Sequence, residues 1–207
     1  MRLVGMLDSP YVRRTAISLR LLGLPFTHES VSVFREFERF HAINPVVKAP
    51  SLVCDNGVVL MDSTLIIDYA ESLAGRSLMP AQTASRQAAL RIVGLALAAS
   101  EKVVQNFYEH SQRPAGKLHQ PWLHQPWLDR VDAQRESAFA LLEAELARRP
   151  VPAGEADIGQ AELTAAVTWT FAQFMMPGAV DTARHPALVA LTAALERLPA
   201  FEALPCA

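Results

Sequence analysis

A serine followed by a proline, at residues 9 and 10, stands where an apolar stretch gives way to positive charge in the segment LDSPYVRR. A hydroxyl at the start of a helix can donate a hydrogen bond to a reactive group, and the helix N-terminus itself stabilises negative charge. Serine is equally a favoured N-cap, and proline is favoured directly after it, so capping alone also explains the pair. Ser9 is therefore a candidate catalytic residue, with plain capping as the alternative.

The segment NPVVKAP, residues 44–50, places a proline directly before a predicted strand, where it cannot donate a ladder hydrogen bond. We expect a cis peptide bond before Pro50, which would turn the backbone N–H and C=O of Ala49 outward to pair with an extended peptide. Lys48 would supply a cation for a peptide carboxylate. The alternative is an ordinary proline-bounded loop with a solvated lysine.

Asp62 and Ser63 form a third motif, where a predicted hairpin ends and a helix begins. Ser63 can cap the helix, and a free backbone N–H at that end binds a carboxylate well. Asp62 could pair with an ammonium group, so together they suit the α-carboxylate and α-amine of an amino acid. The alternative is a plain Asp-Ser cap.

The first elements of the chain must position Ser9. The apolar run RLVGML, residues 2–7, is typical of a buried strand, and FTHESVSV, residues 26–33, alternates like a second one. Between them, apolar residues recur at helical spacing from Pro10, with arginines set between them, until Gly23 stops the pattern. A strand–helix–strand unit of this kind predicts a parallel pair of strands with a right-handed crossover.

The next elements must position the other two motifs. After an irregular or helical segment, two β-branched runs flank Asp55-Asn56-Gly57, which is a strong β-hairpin pattern. The amphipathic segment TLIIDYAESLAG, which Ser63 precedes, then predicts a helix that closes at Gly75. The hairpin adds an antiparallel edge to the parallel pair, so the order of elements predicts a thioredoxin-like sheet in an α/β N-terminal domain.

The second half of the chain is predicted to be entirely helical. Long stretches rich in alanine and leucine are separated by connections that contain proline. The predicted helices cover residues 88–109, 128–149, 161–174 and 186–198. With a linker near residues 76–84, we expect a thioredoxin-like domain at 1–76 and an all-helical domain at 85–207.

A tandem repeat, HQPWLHQPWL at residues 119–128, could be taken for a metal site because two histidines lie five residues apart. Proline at the third position of each copy predicts that no regular helix brings the histidines together, and no further ligand lies at metal spacing. We therefore expect no metal here, but a duplicated loop whose tryptophans are buried.

The composition is globular, with 51% hydrophobic and 19% charged residues, and the net charge of −2 favours neither nucleic acid nor a membrane as a partner. The opening MRLVGML lacks the features of a signal peptide, and the longest apolar stretch, residues 92–99, is too short to cross a bilayer. Cys54 and Cys206 do not have the spacing of a disulfide framework. We expect a soluble, cytoplasmic protein.

Redox proteins with the thioredoxin-like plan have a Cys-x-x-Cys motif at the position where this chain has Ser9-Pro10-Tyr11-Val12. Both cysteines of that motif are missing here, which argues against a disulfide oxidoreductase. Several motifs resemble those of the glutathione S-transferase family: in order, they are SPYVR, NPVVKAP and DS followed by IIDYAE. The resemblance is to a cytosolic, bacterial type of this family with serine at the active-site position. The segment DIGQAELTAAVTW also looks like the buried helix of that family, with Asp157 as the cap and Gln160 as its capping-box partner.

The resemblance implies that glutathione binds mainly to the first domain. The residues it implies are Ser9, Lys48, Ala49, Pro50, Asp62 and Ser63. Ser9 would hydrogen-bond the sulfur, Ala49 the cysteinyl backbone, and Lys48 the glycyl carboxylate. Asp62 and Ser63 would hold the γ-glutamyl end. Glutathione is then a co-substrate, with no tightly bound cofactor.

The second substrate that the resemblance implies is a small hydrophobic electrophile, bound between the domains. Tyr11, Phe107 and Tyr108 are the candidates for its pocket, although core burial is an alternative for Phe107. The family resemblance further implies detoxification and a homodimer. Two other functions stay open: a glutathione-dependent reductase or lyase, which normally needs a cysteine in place of Ser9, and a non-catalytic binding or regulatory protein.

Overall fold

The structure, a computed structural model, describes residues 1–111 and 121–207. A four-stranded sheet forms the first domain, with strands β1 (Arg2–Val4), β2 (Thr27–Glu29), β3 (Ser51–Val53) and β4 (Val59–Met61) in the spatial order β2-β1-β3-β4. β1 runs parallel to β2, and β3 pairs antiparallel with both β1 and β4. This mixed sheet confirms the predicted thioredoxin-like plan.

The predicted hairpin is confirmed at Asp55-Asn56-Gly57, where β3 turns into β4. Gly57 has a φ of 84°, a backbone conformation that glycine adopts without a steric penalty. The turn is closed by the hydrogen bond from the Cys54 N–H to the Val58 carbonyl, at 2.9 Å. The pairing fixes β3, which follows directly on Pro50, in register with β1.

The first strand is shorter than the predicted range of 2–7 because Gly5 ends it. Gly5 has a φ of 137°, and a Cβ added there would lie 2.6 Å from Cγ2 of Val12. The backbone after β1 therefore approaches the following helix as closely as only glycine permits. This close approach places the chain from residue 6 to Ser9 at the carboxyl end of β1, beside the start of the following helix.

Three helices cover the two faces of the sheet: α1 (Pro10–Leu21), α2 (Phe37–Ile43) and α3 (Ser63–Ala74). Leu3 belongs to the core formed with α1 and α3, whereas its neighbour Val4 packs with Phe40 of α2. Alternate side chains of β1 thus face opposite layers, as the pleat of a strand requires.

The second domain is helical throughout its described residues. Its helices are α4 (Thr83–Ser111), α5 (Pro121–Leu146), α6 (Gln160–Met175), α7 (Pro186–Leu195) and α8 (Pro199–Glu202). α4 packs against both α5 and α6, and α6 also contacts α1 of the first domain. None of the described helices combines the length and the apolar character needed to cross a membrane.

The prediction of a loop at the HQPWLHQPWL repeat is wrong for the residues that the structure describes. α5 begins at Pro121 and includes Pro126 in its interior. Burial of Leu128 and Val131 helps to hold this helix despite the hydrogen bond that Pro126 cannot donate. Trp127 is 46% exposed, contrary to the expected burial. Residues 119–120 of the first copy lie outside the described residues.

The predicted capping box at the start of α6 is also wrong. Gly159 is the N-cap, no side chain caps the helix, and Asp157 lies in a preceding 3₁₀ turn. Gln160 is instead buried in the core, where its side-chain oxygen accepts a hydrogen bond from Ser18 of α1 at 3.1 Å. Because its amide joins the two domains, Gln160 is not available as a capping partner.

Arg13 of α1 forms a buried ion pair with the second domain. Its side chain is 1% exposed and donates to the two carboxylate oxygens of Glu196 at 2.7 and 2.6 Å. Its Nε also donates to the Leu204 carbonyl at 2.8 Å. The paired geometry and the third bond satisfy the guanidinium, so this contact fixes α1 against the C-terminal helices.

We predict that Glu196→Ala lowers the free energy of unfolding by about 3 kcal/mol, because it leaves the buried Arg13 cation without its carboxylate. Denaturant unfolding followed by circular dichroism measures the change. The matched control is Glu145→Ala, which breaks an ion pair with the exposed Arg91 at 2.6 Å. That loss should stay below about 1 kcal/mol. Equal losses in the two variants would contradict the assignment of Arg13–Glu196 as a buried stabilising pair.

Candidate active site

Two adjoining cavities open beside the start of α1, and together they are lined by all nine residues predicted from the sequence. The first, of about 490 Å³, lies against α4 and is lined by Tyr11, Lys48, Ala49, Pro50, Asp62 and Ser63 among others. The second, of about 730 Å³, is lined by Ser9, Tyr11, Lys48, Ala49, Phe107 and Tyr108 among others. Tyr11, Lys48 and Ala49 border both cavities, so a ligand in one adjoins a ligand in the other.

Ser9 is the N-cap of α1 and also borders the larger cavity. Its Oγ accepts a hydrogen bond from the Val12 N–H at 3.5 Å, longer than the usual distance of about 2.9 Å. This cap uses a lone pair of the oxygen, and the hydroxyl proton reaches no acceptor in the described part of the chain. Ser9 can therefore cap the helix and still donate a hydrogen bond into the cavity.

The backbone of residues 44–50 follows an unusual path along the wall shared by the cavities. The Ala49–Pro50 peptide bond is cis, as predicted, and Val47 has a φ of 52°. Positive φ is rare for a β-branched residue, so the surrounding contacts must impose it. Val47 donates its N–H to the Asn44 carbonyl at 2.8 Å.

Asn44 organises this segment, a role that the sequence analysis missed. Its buried side chain accepts from the Val46 N–H at 3.0 Å and donates to the Ser51 hydroxyl at 2.8 Å. Ser51 in turn donates to the Lys48 carbonyl at 2.8 Å. The asparagine in the Asn-Pro pair was the available signal, because its amide can bond to backbone two residues ahead.

Asp62, and not Ser63, is the N-cap of α3. Its side chain accepts from the Thr64 N–H at 2.9 Å, and its φ is 72°. Ser63 is the first residue of the helix, so the predicted serine cap is wrong. Asp62 occupies the capping position, which leaves the Ser63 hydroxyl to other partners at the wall of the smaller cavity.

The partner of Ser63 is Arg14, a second buried arginine that the sequence analysis missed. Its Nη1 donates to Ser63 Oγ at 2.9 Å and to Thr64 Oγ1 at 3.2 Å. Desolvation by burial lowers the pKa of Arg14 to about 10, against the opposing influence of Asp62. In the sequence, Arg14 stood between the apolar positions of an amphipathic helix, a pattern that indicates an exposed side chain.

Tyr11 lies at the junction of the two cavities as a protonated phenol. Burial raises its pKa to about 12, and Glu101 of α4 adds to the rise. Glu101 lines the smaller cavity together with Asp62, so two acidic side chains, one from α4 and one from the start of α3, border that cavity. The sequence analysis missed Glu101, since a helical glutamate carries no pattern that distinguishes a cavity wall from a solvated face.

The larger cavity has a predominantly aromatic and apolar lining. Its aromatic residues are Tyr11, Phe34, Phe107, Tyr108, Phe171 and Phe174. The rings of Phe34, which follows β2, and Tyr108 of α4 meet edge to face with centroids 5.2 Å apart. This contact joins the two domains at the cavity. Asp8 is a charged group in the lining, and desolvation by burial raises its pKa.

Among residues 1–111 and 121–207, no group of three or more histidine, cysteine, aspartate or glutamate side chains is arranged to hold a metal ion. The cavities instead offer hydroxyls, three acidic side chains (Asp8, Asp62 and Glu101), two basic ones (Arg35 and Lys48) and aromatic rings. This set can bind a zwitterionic chain at the smaller cavity and an apolar group at the larger one, with Ser9 facing the latter.

The first domain is similar to a domain of known proteins. Residues 3–78 match the family model for the N-terminal domain of glutathione S-transferases. A 72-residue stretch, 35% of this chain, is 26% identical to glutathione S-transferase U4 of Arabidopsis thaliana. The match spans about a third (32%) of the length of that plant relative.

Solved structures extend the similarity to both domains. A glutathione S-transferase of Methylobacterium radiotolerans, in complex with glutathione sulfonate, is 27% identical with a TM-score of 0.86 over 100% of this chain and 95% of that chain. A glutathione transferase family member from Pseudomonas fluorescens, with bound glutathione, is 26% identical with a TM-score of 0.79 over 98% of this chain and 97% of that chain. These similarities confirm the predicted fold, a thioredoxin-like domain followed by an all-helical domain.

We predict that Asn44→Ala increases amide hydrogen exchange across residues 46–51, because it removes both side-chain bonds that hold this segment. Exchange is measured residue by residue by NMR. The matched control is Asn56→Ala, whose side chain accepts from the Val58 N–H at 3.2 Å in the exposed hairpin turn. That variant should leave exchange at residues 46–51 unchanged. Unaltered protection in the Asn44 variant would contradict the role given to Asn44.

Proposed function

We propose that this protein is a glutathione transferase that activates bound glutathione as a thiolate for attack on a small hydrophobic electrophile. The observation that carries the proposal is the Ser9 hydroxyl, which faces the larger cavity from the start of α1 with its proton unengaged by any described residue. Structures of the same fold that hold glutathione sulfonate or glutathione support glutathione as the co-substrate.

The γ-glutamyl end of glutathione fits the smaller cavity by charge. Its ammonium group would pair with Asp62 and Glu101, the two acidic side chains that line this cavity. Its carboxylate would accept hydrogen bonds from the Ser63 side of the cavity, at the start of α3. A zwitterion places its ammonium group beside the acidic side chains and its carboxylate beside the hydrogen-bond donors. A neutral ligand of this size would leave these protein groups without partners.

The rest of the tripeptide would follow the wall that both cavities share. The cysteinyl backbone would pair with Ala49, beside Pro50, and the glycyl carboxylate would pair with Lys48. This path leads the sulfur to the larger cavity, where Ser9 is the donor. The order of contacts along the wall matches the order of groups along the ligand.

Ser9 would act as a hydrogen-bond donor and not as a covalent nucleophile. An unperturbed thiol titrates near pH ~8.5, and each unit of pKa depression requires about 1.4 kcal/mol of thiolate stabilisation. A hydrogen bond to a charged acceptor contributes roughly 1.5–3 kcal/mol, and a helix N-terminus about 0.3–1 kcal/mol. Together they would lower the pKa of the thiol by about one to three units, so that a substantial fraction is thiolate at neutral pH.

The electrophile would occupy the larger cavity. Six aromatic side chains and a volume of about 730 Å³ suit a small hydrophobic molecule that lies against the sulfur. Tyr11, Phe107 and Tyr108 would contact it, Tyr11 from the glutathione side and the other two from α4. The protonated phenols of Tyr11 and Tyr108 would add hydrogen-bond donors for a polar group on that molecule.

The family resemblance implies that the protein forms a homodimer. It also implies a cytoplasmic location and a role in detoxification. We propose that the domains are residues 1–76 and 85–207, which the end of α3 at Ala74 and the start of α4 at Thr83 support.

A glutathione-dependent reductase or lyase is the second candidate. Such chemistry needs a reactive cysteine thiolate, and burial raises the pKa of Cys206 to about 11, which favours the unreactive thiol. A non-catalytic binding or regulatory protein is the third. Retention on immobilised glutathione, followed by an assay with a chloronitrobenzene electrophile, separates the three. Binding without turnover would favour the regulatory role, and no binding would contradict every candidate that uses glutathione.

We predict that Ser9→Ala lowers turnover about 10- to 100-fold while the dissociation constant of glutathione changes less than about threefold, because the hydroxyl stabilises the thiolate and not the neutral ligand. The acidic limb of the kcat/KM profile should move up by about one to two pH units. Steady-state kinetics across pH and ultraviolet absorbance of the bound thiolate measure both effects.

The matched control is Ser32→Ala, since Ser32 also borders the larger cavity and its Oγ accepts the Arg35 N–H at 3.1 Å. This control should keep the pKa of the bound thiol. If Ser9→Ala weakened glutathione binding as much as it slowed turnover, Ser9 would only shape the site and the proposed catalytic role would be wrong.

A further inference from the structure

Asp8 is an acidic side chain in the predominantly aromatic and apolar lining of the larger cavity. It is half-buried and directly precedes Ser9, the proposed donor to the glutathione sulfur. A carboxylate at this place opposes the action of Ser9, because a negative charge disfavours a thiolate nearby. The position of Asp8 therefore requires a reason other than stabilisation of the sulfur anion.

The carboxyl group of Asp8 is held at the start of α1 and has acceptor capacity left for a ligand. Burial raises its pKa, whereas a hydrogen bond from the Ser9 N–H and the charge of Arg35 lower it. Arg35 acts without direct pairing, since its Nη2 donates to Sδ of Met6 at 3.4 Å. Within residues 1–111 and 121–207 the carboxylate has no cation in contact, so most of its lone pairs face the cavity without a partner.

The other weak acids around Asp8 keep their protons at neutral pH. Burial raises the pKa of Tyr11 to about 12. Burial also raises the pKa of Tyr108 of α4, and the charge of Asp8 adds to the rise. The pKa of Cys206 is raised to about 11 by burial, against the opposing charge of Arg13. None of these three groups can take up the proton of a thiol.

The charged groups of the larger cavity leave Asp8 as the base beside the sulfur. Arg35 and Lys48 line the cavity as cations and have no lone pair to offer. Ala207, with its terminal carboxyl group, also borders the cavity. Asp8 differs from it because Asp8 adjoins Ser9 in the chain and accepts from the Ser9 N–H. A thiol that is hydrogen-bonded by Ser9 therefore lies next to the Asp8 carboxylate.

We propose that Asp8 is a second catalytic residue, which accepts the thiol proton of glutathione and returns it to an electrophile that reacts by addition. The inference rests on the proposed function, in which Ser9 holds the sulfur in the larger cavity. An α,β-unsaturated ketone is an electrophile of this class, because its oxygen must gain a proton after the sulfur has added.

The proton stays in the cavity throughout the addition. The S–H bond breaks, its electron pair remains on sulfur, and the proton forms an O–H bond with the Asp8 carboxylate. The sulfur pair then forms the S–C bond at the β-carbon, while the electrons of the C=C bond move towards the carbonyl oxygen. That oxygen takes the proton from Asp8, which becomes a carboxylate again, and the enol product reverts to the ketone.

Substitution on a chloronitrobenzene makes a different demand on the proton. The S–C bond forms and the C–Cl bond breaks, with chloride leaving as an anion. No atom of the conjugate needs the proton, which passes from Asp8 to the solvent. Asp8 is therefore expected to favour addition over substitution.

The first test counts protons when glutathione binds to the full chain at neutral pH. Ultraviolet absorbance measures the thiolate formed, and isothermal titration in buffers of different ionisation enthalpy measures the protons released. For the wild type we expect fewer than about 0.5 protons released per thiolate formed, because Asp8 keeps the rest beside the sulfur anion. In Asp8→Asn, which cannot accept the proton, the count should rise to about one.

The second test compares the two kinds of electrophile. Steady-state kinetics gives kcat/KM for benzylideneacetone, an α,β-unsaturated ketone, and for the chloronitrobenzene. The ratio of the two values cancels any change in the amount of thiolate. Asp8→Asn should lower this ratio, addition over substitution, about 10- to 100-fold, because water replaces a positioned acid only in part.

The matched control is Asp157→Asn, which removes the same charge from an exposed aspartate in the 3₁₀ turn before α6. Asp157 does not line either cavity. This variant should keep the proton count and the ratio of the wild type.

Several outcomes would overturn the inference. A wild-type count near one would show that no group of the protein keeps the proton, and this measurement needs no variant to fold. An unchanged count in Asp8→Asn, or equal slowing of both electrophiles, would leave Asp8 only a structural role as an acid at a helix N-terminus. Glutathione that binds without forming a thiolate would overturn the proposed function, and the inference with it.

Discussion

The burial of α1 on all sides is the constraint on which the rest of the structure depends. Gly5 brings the end of β1 against Val12, Arg13 pairs with Glu196 across the domain boundary, and the Ser18 hydroxyl donates to Gln160 of α6. Each contact fixes a different side of the helix. The N-terminus of α1, with Ser9 as its cap, therefore has one position relative to both domains, and both cavities are built around that position.

The sequence predicted those parts of the fold that depend on local rules. The alternating and helical apolar patterns gave the sheet and most helices, the Asp55-Asn56-Gly57 turn marked the hairpin, and Pro50 marked the cis bond. The two buried arginines of α1 could not be predicted in this way, because a charge between apolar positions indicates a solvated face. The burial of Arg13 is tolerable because of a tertiary partner, Glu196, which is distant in the sequence.

The candidate site was predictable where backbone geometry restricts the residue type, and not where a side chain merely faces a cavity. Ser9 and Asp62 stand at helix starts, where few residue types are favoured. Glu101 enters the site only because α4 lies across the cleft. At Pro126 a local rule gave a wrong prediction. Proline disfavours a helix interior, but the packing of α5 outweighs this preference and the helix continues through Pro126.

The edge-to-face contact of Phe34 with Tyr108 has a consequence for how such a protein diversifies. Neither ring borders the smaller cavity, which holds Asp62, Ser63 and Glu101. One ring stands on a surface segment after β2 and the other on α4, so replacements there reshape one compartment and spare its neighbour. Such a protein can thus diversify at two surface positions while the lining of the smaller cavity stays unchanged.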